Sequence, residues 1–335
     1  MNIIYMTPIL WILALMTMIK ADCPVPYSPG KDRRTNPANL RLVQFNVEWL
    51  FMTPCQAYGC PWANEEEQQE HITTISKVLE ELQPDMAHFA EVENCDALMA
   101  ITPDSALYPY LIQGKDTATH QNVGLLTKID PLKPLNRTEE RVEYPVPDSK
   151  CGYTGSPGTT GVSKHLISEF AINNRTIALI GAHLLAYPTD KTRCAEREAQ
   201  AQVIQNILYD YIKRGYELIV LGDFNDYDAE IPDANNHKPI SHVLDILKGS
   251  AGSHKGYYSL GSVGDRITQE TRFSDWYDEN SNCVSSPTEF SQIDHILLTK
   301  YLYDHLAKVF MYQGYEQSCA SMVSDHYPVV ADFVF

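Results

Sequence analysis

The chain has 335 residues and a formal net charge of −17, from 26 Lys and Arg against 43 Asp and Glu. That balance excludes a protein that grips long nucleic acid through sequence-independent Lys and Arg contacts to phosphate. A nuclease whose site carries its own divalent cation stays open, because a bound cation neutralises charge locally.

Ile3 to Met18 is apolar, broken only by Thr7, Pro8 and Thr17. It falls short of the roughly 20 apolar residues that span a bilayer. Ala21 offers a small residue before Asp22, so residues 1–21 read as a secretory signal peptide. The competing reading is an uncleaved anchor, since no basic residue precedes the apolar run. All eight cysteines follow this segment, at 23, 55, 60, 95, 151, 194, 283 and 319. An even number in an exported chain favours disulfides, and the absence of a C-x-x-C pair weakens a zinc reading. Cys55 and Cys60 are the one pairing that proximity suggests. Two sequons, Asn136-Arg137-Thr138 and Asn174-Arg175-Thr176, agree with export. Without a Gly/Ser linker, repeat or low-complexity block, residues 22–335 are expected to form a single domain, secreted, monomeric and without stable membrane insertion.

Leu40 to Val47 alternates as a strand does. Glu65 to Leu82 places Ile72, Ile75, Val78, Leu79 and Leu82 on one helical face, and Pro84 stops that helix. Short strands are expected at Met86–Ala90, Val123–Leu126, Leu166–Ile172 and Thr176–Ala182. A second helix is expected over Glu196–Ile212. Strands at Glu217–Leu221, Ile293–Leu298 and Val329–Val334 complete the set. The order lacks regular βαβ alternation, which points to sheet packed on sheet with helices outside. Gly249 to Thr288 reads as a long loop holding Arg272, Phe273, Trp276 and Tyr277.

Polar groups gather where the apolar strands end. Glu91 follows one strand and His183 another. Gly222-Asp223-Phe224-Asn225 follows Leu218-Ile219-Val220-Leu221. Gln292-Ile293-Asp294-His295 and Ser324-Asp325-His326-Tyr327-Pro328 come later. Hydrolysis of a phosphodiester needs a cation, a base for water, a donor for the leaving oxygen and fixed dipoles at the phosphorus. Hard oxygen ligands suit Mg²⁺, and Asp294 is a candidate partner for the His326 imidazole. Each group alone has an ordinary structural explanation. Their co-occurrence at five strand ends carries the argument.

Asn46 in Phe45-Asn46-Val47-Glu48, Glu91 in Ala90-Glu91-Val92, His183 in Gly181-Ala182-His183-Leu184, and the three clusters above stand in an order that resembles the endonuclease/exonuclease/phosphatase superfamily. That group includes pancreatic-type deoxyribonucleases, abasic-site endonucleases, sphingomyelinases and inositol-polyphosphate phosphatases. The resemblance spans Leu40 to Phe335, with features of secreted nuclease-like members at Asp116–Thr119 and Gln121–Gly124. It implies an α/β fold, a four-layer αββα sandwich of two packed mixed sheets flanked by helices. It implies that Asn46 and Glu91 hold Mg²⁺ or Mn²⁺ (Ca²⁺ as a further alternative), with Asp325 as an additional ligand. His183 would contact the scissile phosphate and protonate the leaving oxygen. Asp223 would activate water, and Asn225 would bind a phosphate oxygen. His326, held by Asp294, would act as general base or as a phosphate-stabilising cation. Arg197 is a candidate substrate contact, against the reading of a helical Arg paired with a neighbouring Glu. Two departures stand out: Ala90 where the family often has Gln, and Gln292 where a basic residue often stands. The expected activity is metal-dependent phosphodiester hydrolysis of DNA or RNA. A sphingomyelinase-type phospholipase C acting on a lipid head group and an inactive binding protein are the alternatives. Tyr257-Tyr258 and Trp276-Tyr277 are the nearest candidates for the apolar element a lipase needs.

Overall fold

A computed structural model describes residues 23, 28–52, 60–102, 107–112 and 119–335. The expected signal peptide, Cys55 and most of Asp116–Thr119 lie outside them. The first elements are β1 (Asn39–Leu50), α1 (Glu65–Leu82), β2 (Met86–Val92), α2 (Cys95–Ala100), β3 (Tyr108–Ile112) and β4 (Asn122–Thr127). Then come β5 (Val142–Tyr144), β6 (Gly158–Thr160), β7 (Lys164–Ile172), β8 (Arg175–His183), α3 (Lys191–Lys213), β9 (Glu217–Asp223) and α4 (Val243–Lys248). The last third holds β10 (Gly261–Ser262), β11 (Asp275–Trp276), β12 (Phe290–Ser291), β13 (Asp294–Leu298), α5 (Lys300–Asp304), β14 (Leu306–Met311) and β15 (Val329–Val334).

Two mixed sheets form the centre, in the orders β14-β15-β1-β2-β4-β3 and β10-β13-β9-β8-β7. Both faces of β1 are buried because its alternate residues serve different layers. Val43, Phe45 and Val47 pack outward against Ile72, Ile75, Val78 and Leu79 of α1. Leu40 and Leu42 face inward and meet Phe170, Leu179, Leu221 and Ile296 of the other sheet. That second sheet turns Ala178, Ile180, Leu218 and Val220 outward, onto Val203, Ile204, Ile207 and Leu208 of α3 and Leu244 and Leu247 of α4. The layers are therefore α, β, β, α, as the resemblance implied.

Local signals set the helix ends. Asn64 caps α1 by accepting from the backbone N–H of Glu66 and Glu67, and Gln83 closes it in the left-handed conformation before Pro84. The second helix begins five residues earlier than expected. Asp190 accepts from the N–H of Thr192 and Arg193 and starts it at Lys191, ahead of the first apolar marker. β3 and β14 were not anticipated. Both pair at sheet edges, where one-sided burial blurs the apolar pattern. Residues 249–288 stay mostly irregular, with β10, β11 and three short 3₁₀ turns, the last of which runs on to Glu289.

Three disulfides join Cys23 to Cys95, Cys151 to Cys194 and Cys283 to Cys319. Cys60 is also disulfide-bonded. Both sequon asparagines, Asn136 and Asn174, are exposed. Among the described residues, no helix is long and apolar enough to cross a membrane.

Candidate active site

The inward face of β1 becomes polar after Leu42. Gln44 and Asn46 occupy the next two inward positions and are both buried. The β1–β2 register shifts between Asn46 and Leu50, and the β2–β4 register shifts between Ala90 and Val92. These adjoining irregularities re-aim side chains at the sheet end. The backbone takes positive φ at Glu48 (42°), Trp49 (52°) and Glu91 (68°). Asn46 and Glu91 come side by side as a result, with Asn46 Nδ2 3.4 Å from Glu91 Oε1. The other Glu91 oxygen accepts from Trp49 N–H at 3.1 Å and from Gln121 Nε2 at 2.7 Å. Lys164 donates to Gln121 Oε1 behind it.

The opposite sheet supplies a row. His183 of β8 registers with Asp223 of β9, and Asp223 registers with Asp294 of β13. Gly222 permits this packing: at φ 152° a Cβ there would meet the Ala182 carbonyl oxygen at 1.8 Å. Asp223 reaches across the sheets to accept from Asn46 Nδ2 at 3.0 Å, while its other oxygen accepts from Asn225 N–H at 3.0 Å. His183 Nε2 lies 3.6 Å from Asp223 and 3.9 Å from Glu91. Its Nδ1 is buried without a hydrogen-bond partner.

His326 enters from the segment before β15. Ser324 Oγ donates to Asn46 O and accepts from His326 N–H, which locks the turn onto β1. His326 Nδ1 hydrogen-bonds Asp294 Oδ2 at 2.7 Å. Its Nε2 is thereby turned towards Asp223, Asp275 and Asp325, at 4.0, 3.7 and 3.7 Å.

Burial and neighbouring charge set the protonation states. Burial opposes charge on His326, but Asp294, Asp325 and Asp223 outweigh it and hold the imidazole well above its ordinary value. His183 goes well below, through burial and the Lys164 charge. Asp223 is pushed well above the carboxylate range by burial and by Asp294. Burial and mutual repulsion also raise Glu48, whose neighbours are Asp325 and Glu91. Asp325 rises to about 7, mainly by burial.

These oxygen donors fit a hard divalent cation. Glu48, Glu91 and Asp325 crowd into one corner beside the Asn46 amide, and their repulsion is what such an ion relieves. Asp223, Asp294 and His326 also lie close enough together to ligate an ion. In that trio His326 would use Nε2, which lies 4.0 Å from Asp223, since its Nδ1 is bonded to Asp294.

The groups open into a cleft of about 530 Å³, lined among others by Asn46, Glu91, His183, Asp223, Asn225, Asp325 and His326. Asp294 lies behind His326 and is fully buried. Asn225 borders the cleft, while its Nδ2 donates to Leu184 O at 3.2 Å. Arg197 requires a correction as a substrate contact. It is fully buried, pairs with Asp226 at 2.9 Å and donates to the carbonyls of Leu185, Tyr187 and Pro188. It braces the loop after His183 and lines no part of the cleft. Its partner is an Asp from the β9 end, not a helical Glu.

Sequence reasoning missed Glu48, Gln121, Lys164, Ser274, Asp275, Tyr227 and His237. Glu48 stood in the quoted Phe45-Asn46-Val47-Glu48 motif, two residues after Asn46, but was given no role. Only the turn at Glu48 and Trp49 brings its carboxylate to Asp325 N–H, at 2.9 Å. Ser274 and Asp275 lie in the long irregular segment, next to the expected Phe273 and Trp276.

No protein-family model matches the chain, and no curated protein matches it. Solved structures do. A 3′-5′ exonuclease from Neisseria meningitidis, NExo, is 16% identical, with a TM-score of 0.56, over 88% of this chain and 100% of that one. A truncated Caenorhabditis elegans TDP2 is 14% identical, with a TM-score of 0.53, over 89% and 98%. An endonuclease/exonuclease/phosphatase family protein from Leptotrichia buccalis is 15% identical, with a TM-score of 0.53, over 88% and 100%.

Proposed function

The chain has the fold of the endonuclease/exonuclease/phosphatase superfamily, and on that fold we propose an exported, divalent-metal-dependent phosphodiesterase that cleaves nucleotide phosphodiester bonds. One observation carries the reading. A buried Asp–His pair, a second histidine and Asp223 converge on one cleft beside an oxygen-rich corner suited to a hard cation. Binding alone needs no such set, so the inactive alternative has no observation in its favour. The titles of two matched structures agree with the reading: one describes a 3′-5′ exonuclease, and another a Neisseria 3′ phosphatase bound to a product DNA hairpin. The disulfides, the exposed sequons and the apolar leader support export.

Asn46, Glu91 and Asp325 would hold Mg²⁺ or Mn²⁺, with Glu48 beside them. When bound, the cation supplies a Lewis acid that offsets oxyanion charge. Asp223 takes the proton of the attacking water. Its raised affinity for a proton makes it a stronger base than an exposed carboxylate. Asn225 N–H and the Asn46 amide fix its two oxygens, so the water is presented in one direction. Asp294, bonded to Nδ1, raises the affinity of His326 for a proton, so Nε2 would offer a proton to a phosphate oxygen while Asp294 stabilises the imidazolium. This favours the phosphate-stabilising role over the general-base role. His183, whose burial disfavours its charged form, presents Nε2 3.6 Å from Asp223 and would donate from there to a phosphoryl or leaving oxygen.

The test is a substrate panel with the purified mature protein, Mg²⁺, Mn²⁺ or Ca²⁺, and EDTA controls. Nucleotide phosphodiesters and single-stranded DNA or RNA should be hydrolysed. Cleavage of sphingomyelin alone would replace this reading with the phospholipase one. Absence of cleavage on the whole panel would leave the binding-protein reading.

A further inference from the structure

We propose that His237, stacked on Tyr227 and bordering the same cleft as the exposed Tyr277, forms a subsite for a second, non-scissile phosphate of a short nucleotide substrate. The inference rests on the phosphodiesterase reading above and narrows its substrate class.

His237 is anchored at Nδ1 by a carboxylate, as His326 is. Its Nδ1 hydrogen-bonds Asp233 Oδ2 at 2.7 Å. Asp233 is buried and also accepts from the N–H groups of Asn235, His237 and Gln292. The His237 ring stacks on Tyr227 with centroids 4.9 Å apart and planes 18° apart. Orientation is therefore set on two sides. Nε2 remains the ring's one uncommitted polar atom, on a side chain that borders the cleft. The Asp233 hydrogen bond also raises the affinity of His237 for a proton, which favours the charged form that binds phosphate.

The place is right for a neighbour of the scissile phosphate. Asp275 lies 3.7 Å from His326 Nε2, and it lines the same cleft as His237. Tyr187 and Tyr277, 59% and 66% exposed, line the same cleft. The Arg193 guanidinium rests 4.6 Å from the Tyr187 ring centroid and steadies that lip. Exposed tyrosine rings at a cleft that handles phosphate suit stacking with a base.

Charge sets the length of the substrate. Among the described residues that line the cleft there is no Lys or Arg, while Asp275, Glu279 and Glu289 contribute carboxylates. A long strand or a duplex needs a continuing run of basic contacts to its backbone. This cleft offers three imidazoles, His183, His326 and His237, and otherwise acidic walls. It matches one scissile phosphodiester, one adjacent phosphate and a stacked base.

The experiment is calorimetric titration of the mature protein, in Mg²⁺, with thymidine 3′,5′-bisphosphate and thymidine 5′-monophosphate. Wild type should prefer the bisphosphate by about tenfold or more, the scale of one charged hydrogen bond. His237→Ala should bring the two affinities together. His237→Gln, which can still hydrogen-bond Asp233 but carries no charge, gives the same reading if the alanine variant does not fold. Tyr277→Ala should weaken both ligands while keeping the preference. Long duplex DNA should not displace the bisphosphate. Equal affinities in wild type, a preference that survives in the His237 variants, or displacement by duplex would each overturn the proposal. Wild-type turnover of bis-p-nitrophenyl phosphate, which has no second phosphate, tests the phosphodiesterase reading separately.

Discussion

Asp294 faces neither solvent nor substrate. It accepts from Gln44 Nε2 at 3.1 Å, Ser274 Oγ at 2.9 Å and His326 Nδ1 at 2.7 Å, all buried. His88 extends this chain by bonding Gln44 Oε1 at 2.6 Å, in space that Gly181 leaves open; a Cβ there would lie 2.2 Å from the ring. His326→Ala is expected to lower kcat by about 10²–10⁴-fold, the range for a positioned acid–base group. Asp294→Asn is expected to cost a similar order, and the double variant far less than the product, since the two act as one unit. Steady-state kinetics of the three variants checks this; multiplicative losses would separate the pair. Asp294, Asp325 and His326 were legible because each ends or precedes an apolar run. Gln44, His88 and Ser274 were not, because their partnership arises only when the two sheets stack.

At the scale of elements, α3 and the loop before it act together. The disulfide Cys151–Cys194 fastens the first turn of α3, and Arg197 one turn on ties the loop carbonyls to Asp226. Arg197→Leu is expected to destabilise the protein by about 3–5 kcal/mol, because it leaves Asp226 buried and unpaired. Urea unfolding measures it; a loss under about 1 kcal/mol would return Arg197 to the exposed pairs whose contribution is small. The disulfides lend themselves to a simpler check. Thiol titration of the denatured, unreduced protein is expected to find no free sulfhydryl, and each native bridge lost on reduction to cost about 2–5 kcal/mol. Strand and helix cores were legible from apolar periodicity. The irregularities at Asn46–Leu50 and Ala90–Val92, which bring Asn46 and Glu91 side by side, were not. They depend on which strands become neighbours, and local sequence does not state that.

At the scale of the whole molecule, acid should unfold the protein through its buried histidines. His165 is satisfied as the neutral form: Nδ1 bonds Val162 O and Nε2 accepts from Thr138 N–H. Burial lowers it to about 4, and lowers His88 to about 3. Because the unfolded chain binds these protons more readily, the contribution is fully present above about pH 6.5 and is lost as pH falls towards 4 and 3. Between pH 7 and 5 the loss is on the order of 2 kcal/mol per histidine. Urea midpoints at the two pH values check it, and equal stability would contradict it. The four layers were legible from the order of the elements and from the resemblance, while the substrate was not, because the same fold carries many substrates. The most direct test of the account is turnover of bis-p-nitrophenyl phosphate after dialysis against EDTA, followed by titration with Mg²⁺, in wild type and Glu91→Gln. The account predicts no turnover without the cation, saturable recovery with it, and a cation requirement raised about tenfold or more in the variant. Full turnover in metal-free buffer, or an unchanged Mg²⁺ requirement in Glu91→Gln, would contradict it.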